Sequence, residues 1–170
     1  AGLSTGIIMF HFGSKDQLLA EVLRHLAEEY RQNWTEALTR AGRDQAARLL
    51  ALTLSDFDPV LYTSDKLSAW IAFWGETQGR PVYDQICASY DAERQAACLD
   101  CCTNLIAAGR YPHDPRLTMQ GIEALCDGLW LAAAGHGTGL GTRVTPADAH
   151  RIIRASLAAF FPRHFPLADE

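Results

Sequence analysis

Apolar residues recur at helical spacing along almost the whole chain, and no segment alternates apolar with polar residues as a half-buried strand would. That periodicity confines the chain to an all-α fold, a bundle of roughly eight helices. Its 170 residues, 48% of them hydrophobic, are enough for one sizeable core.

Turn and cap residues divide the bundle. Gly13 stops a short first helix, and Ser14-Lys15-Asp16-Gln17 has the form of a capping box that starts the next one at once. The second helix carries Leu18, Leu19, Val22, Leu23, Leu26, Tyr30 and Trp34, runs towards Arg40 and is broken at Gly42. A helix over about 44–56 follows, closed by Asp58-Pro59. Ser64-Asp65 reads as the cap of the next, which has Leu67, Trp70, Ile71 and Trp74 on one face. Gly79-Arg80-Pro81 turns the chain into a long helix over about 82–108 that ends at Gly109. Asp114-Pro115 supplies an N-cap and a first-position proline for a strongly apolar helix, which the Gly-rich stretch 135–141 ends. Thr145-Pro146-Ala147-Asp148 starts the last helix, which runs to about Phe161.

The amino end is the most specific part. Gly2 suits a tight turn between helices, Ser4 is an N-cap candidate, and a short helix is expected over about 5–12. Leu3, Ile7, Ile8 and Phe12 can face inward, while Thr5, Gly6, Met9 and His11 lie nearer the other side. A short, rigid helix between two sharp stops suits an element that enters a DNA groove. It also suits a plain helix packed on a longer one, and the local pattern leaves both open.

This stretch resembles the recognition helix of TetR-type transcriptional repressors, in which a Gly turn and a short helix ending in aromatic residues precede Ser-Lys and an apolar helix. The resemblance implies that Thr5, Gly6 and His11 approach bases or the adjacent backbone, and that Ser4 and Lys15 meet phosphates. Where the family often has a phosphate-binding Tyr, this chain has Met9, which can instead touch a thymine methyl. Two helices would precede Ala1 in such a domain, so the sequence is expected to begin part-way through it. Residues 1–36 are then the end of the DNA-binding domain, with a connecting helix over about 15–36. Residues 37–170 are the ligand-binding and dimerisation domain.

The net charge of −5 supplies no bulk attraction to nucleic acid, so contact with double-stranded DNA requires a local basic patch or an amino-terminal arm. No apolar run is long enough to span a bilayer, because the best candidate, 122–134, is interrupted by Glu123 and Asp127. Five cysteines, an odd number without secreted-domain spacing, fit a reducing cytoplasm.

Trp70, Phe73 and Trp74 fall within one and a half helical turns, and Trp130 follows Asp127 by three residues on another helix. Indole faces with a nearby carboxylate can hold a cation; tryptophans at helical spacing can equally fill a core. The segments Ala69-Trp70-Ile71-Ala72-Phe73-Trp74 and Leu125-Cys126-Asp127-Gly128-Leu129-Trp130-Leu131, with Ser4-Thr5-Gly6-Ile7-Ile8, are similar to the choline-pathway branch of TetR-type repressors. That resemblance implies a choline-like small effector bound by Trp70, Phe73, Trp74, Asp127 and Trp130. It also implies a homodimer built on the last two helices, with Leu129, Ala133, Ile153, Leu157 and Phe160 at the interface.

Other motifs lead elsewhere. Gly2-Leu3-Ser4-Thr5-Gly6 fits a nucleophile-elbow pattern, but that motif needs a preceding strand. Cys98, Cys101 and Cys102 share a helix face as small apolar residues and have no second ligand pair for zinc. His136 sits in a Gly-rich stretch that lacks the Lys-Ser/Thr of a phosphate loop. No catalytic residue, metal or cofactor is expected. The reading is an effector-released repressor acting on a palindromic operator; the alternative is an all-helical small-molecule enzyme or carrier.

Overall fold

The computed structural model describes residues 12–76, 82–133 and 144–166. Among them the chain forms six helices and no strand: α1 (Lys15–Ala41), α2 (Gln45–Ser55), α3 (Ser64–Glu76), α4 (Val82–Gly109), α5 (Pro115–Ala133) and α6 (Pro146–Phe160). Ser4, Thr5, Gly6, Met9 and His11, the turn at Gly79-Arg80-Pro81 and the Gly-rich stretch with His136 lie outside the described residues.

The caps account for the boundaries. Ser14 accepts a hydrogen bond from the Gln17 amide at 3.1 Å to start α1, Asp44 accepts from Ala47 at 2.7 Å for α2, and Asp114 accepts from Leu117 at 2.9 Å for α5. Thr145 and Asp148 form a reciprocal capping box at α6. Two ends differ from the sequence reading. Ser64 lies inside the first turn of α3, and Thr63 is the residue whose hydroxyl accepts, from Lys66. At the end of α4, Arg110 takes the left-handed conformation (φ 50°), with Tyr111 N–H bonded to Ile106 C=O and Arg110 N–H to Ala107 C=O. Gly109 serves the close approach instead, because a Cβ there would run into the Tyr111 ring.

α1 packs on α2 and α4, α5 lies along α4, and α6 closes against α2 and α5. One continuous core joins Leu23, Leu26 and Trp34 of α1 to Leu49 and Leu52 of α2, Cys98 and Leu105 of α4, Ile122 of α5 and Ile153 of α6. Each fully buried Leu or Ile stabilises the fold by about 1.5–3 kcal/mol. Cys98, Cys101 and Cys102 are fully buried, as small apolar core residues are. No helix among the described residues is long and apolar enough to cross a membrane. α1 runs unbroken through residues 36 and 37, so the expected domain boundary falls inside a helix.

Candidate functional site

Three helical stripes and two single positions build one cavity. α5 presents Glu123, Cys126, Asp127 and Trp130, spaced 3, 1 and 3 apart on one face; α4 presents Asp91, Arg94 and Gln95; α3 adds Trp70 and Trp74, one turn apart. Tyr30 comes from α1 and Asp56 from the end of α2. Together they enclose about 240 Å³.

The aromatic groups form one wall. Trp74 and Trp130 lie 6.3 Å apart, tilted by 50°, and Tyr30 meets Trp70 edge-on at 6.3 Å. Joined to this wall through Tyr30 and Trp130 is a buried ionic network. Arg94, 4% exposed, donates from Nη2 to Asp56 Oδ2 at 2.7 Å and from Nη1 to Glu123 Oε2. Asp56, 2% exposed, also accepts from the Tyr30 hydroxyl at 2.8 Å, and its backbone carbonyl accepts from Trp130 Nε1 at 2.9 Å. The Arg94 guanidinium lies over the Tyr30 ring, 5.8 Å from its centroid.

These contacts set the ionisation. Burial works against the Arg94 charge, but Asp56, Tyr30 and Glu123 outweigh it and hold the guanidinium well above its ordinary range. Burial pushes the Asp56 carboxyl up against the pull of Arg94 and the Tyr30 hydroxyl. Desolvation, and then the charge of Glu123 one turn away, push Asp127 up to about 6. Among the described lining residues Asp56, Glu123 and Asp127 surround one guanidinium, so the cavity suits a small organic cation.

The structure brings together four of the five residues expected to hold a ligand: Trp70, Trp74, Asp127 and Trp130. Phe73 is half-buried and packs on the core rather than lining the cavity. Tyr30, Asp56, Arg94 and Glu123 were not anticipated. The one available signal was Arg94, a charge on the inward side of a long helix. Leu129, Ala133, Ile153 and Leu157, expected to face a second copy, are buried in the chain's own core, and Phe160 is half-buried against it. Lys15 is exposed at the start of α1.

Fold and cavity define an all-helical domain with an internal cavity lined by aromatic and charged side chains. Residues 46–162 match the family described as "BetI-type transcriptional repressor, C-terminal". The chain belongs to this family of TetR-type transcriptional regulators, and it is not an enzyme. It is 30% identical over 159 residues to the HTH-type transcriptional regulator BetI of Burkholderia lata, covering 94% of this chain and 80% of that one. Against BetI of Paraburkholderia phymatum the identity is 28% over 170 residues, covering 93% and 79%. A solved structure described as a candidate transcriptional regulator of Pseudomonas aeruginosa superposes with a TM-score of 0.77 at 25% identity, covering 96% of this chain and 77% of that one.

Proposed function

We propose that the chain is a dimeric repressor that binds palindromic operator DNA and is released by a small organic cation of choline's kind. One observation carries this reading: among the described residues lining the cavity, Tyr30 belongs to α1, the long helix that follows the expected recognition segment in sequence. A ligand that prefers one placement of Tyr30 shifts α1, and with it the spacing of two heads that must match successive turns of DNA. Exposed Lys15, at the start of α1, supports a phosphate contact beside the head.

The faces left open support a dimer with a different contact set from the buried one. Leu117, Gly121, Ala124, Gly128 and Leu131 form an exposed stripe along α5, with Leu117 at 69% exposure. Ile152, Ala155 and Ala159 form another along α6. Small residues at this spacing let helices of a second copy approach closely, as a two-fold four-helix contact requires. A cytoplasmic location goes with this role.

The test is binding of the complete gene product to its own upstream DNA through a salt series. A steep loss of affinity with salt and a strong preference for one palindrome are expected. Weak binding that is equal on all sequences would overturn the operator reading.

A further inference from the structure

The aromatic wall of the cavity does not choose among ammonium ions, because a ring face attracts any of them. Its faces are also partly taken: Arg94 lies over Tyr30, and Tyr62 meets Trp130 edge-on at 6.5 Å. The acidic side does choose. Arg94 uses its two terminal nitrogens on Asp56 and Glu123, and one atom of each kind is left over. Glu123 Oε1, an acceptor, and Arg94 Nε, a donor, are buried with no hydrogen-bond partner among the described residues. Both belong to side chains that line the cavity.

Resting on the cationic-effector reading above, we infer that the cavity prefers a protonated amine that also carries an oxygen acceptor, an amino alcohol or amino acid, over a quaternary ammonium. An N–H donor completes Glu123 at ordinary charge-assisted distance, and a hydroxyl or carboxylate oxygen completes Arg94. Neither atom has accessible surface, so the Glu123 carboxyl turns to present Oε1 to the N–H, and the ligand's oxygen takes up the Arg94 N–H that Oε2 leaves. A quaternary nitrogen brings the same charge wrapped in methyl groups. It has no N–H, so it leaves the buried carboxylate oxygen unsatisfied. Asp127, one turn from Glu123 and with its carboxyl pushed up to about 6, gains from the same donor.

Calorimetric titration of the whole chain with ethanolamine, N-methylethanolamine, N,N-dimethylethanolamine and choline tests this. The four share one hydroxyl and one positive charge and differ in the number of N–H donors. Affinity is expected to fall with each methyl, by about tenfold or more from ethanolamine to choline. In Glu123→Gln the preference is expected to collapse. Choline binding as tightly as ethanolamine, or a series equally steep in Glu123→Gln, would overturn the inference while leaving the cation reading intact. No binding by any of the four would overturn both.

Discussion

Tyr30 and Asp56, 26 residues apart in the chain, are joined by a 2.8 Å hydrogen bond from the phenol to the carboxylate. The bond ties α1 to the end of α2 at the floor of the cavity. On either side of Tyr30, Glu29 pairs with Lys66 of α3 at 2.7 Å and Arg31 pairs with Glu93 of α4 at 2.7 Å. Three consecutive residues thus fasten the middle of α1 to the body. Tyr30→Phe keeps the ring and removes the donor to a buried carboxylate. The expected cost is about 1.5–3 kcal/mol, read by urea unfolding. A loss below about 0.5 kcal/mol would mean that the bond contributes little.

Arg94, itself buried, compensates two carboxylates, Asp56 and Glu123. Arg94→Met keeps most of the side-chain volume and strands both charges, so a loss of about 3–5 kcal/mol is expected in chemical denaturation. Adding Asp56→Asn should recover part of it, because one of the stranded charges is then gone. Equal stability in the two variants would place the cost elsewhere.

Asp127 has its folded-state carboxyl at about 6, above its ordinary value of 3.8. The fold therefore disfavours its charged form. The stability tied to this group is whole below its ordinary value and is lost as pH rises through about 6. Asp127→Asn removes that loss, so its advantage in melting temperature over the parent should grow from about pH 4 to about pH 7.5. A bound cation favours the ionised carboxylate, so binding to the parent should tighten over the same interval. An advantage that stays constant with pH would contradict the shift.

Gly128 faces open space, and a Cβ there would meet nothing within 4 Å. Gly128→Arg is thus free of clashes inside one chain and gains helix propensity of about 1 kcal/mol. It is expected to abolish the dimer in sedimentation velocity while the helical circular dichroism persists. A dimer that survives the arginine would move the interface off this face of α5.

Much of the fold was legible because caps and apolar spacing act locally. The ends of α2, α5 and α6 follow from Asp44, Asp114 and Thr145, each of which reaches only three residues ahead. Arg110 escaped because a non-glycine residue seldom takes positive φ. The aromatic wall was visible because Trp70 and Trp74, like Asp127 and Trp130, share helix faces by their spacing. The ionic floor was not. Asp56 read only as the last residue of a helix closed by Asp58-Pro59, and Glu123 as a charge interrupting an apolar run, and only packing three elements together shows that Arg94 joins them. The face open to a second copy was hard to read for a related reason. Leu129 and Ile153 belong to an apolar stripe, and apolarity alone does not say whether a stripe turns inward or towards a partner.

The coupling between cavity and head is tested most directly by measuring operator affinity of the complete gene product with and without a saturating amount of the tightest-binding ammonium of the ethanolamine-to-choline series. The account expects the cation to weaken operator binding by about 5–150-fold, the span of ordinary allosteric coupling, and the operator to weaken cation binding by the same factor. Tight cation binding that leaves operator affinity unchanged would contradict it.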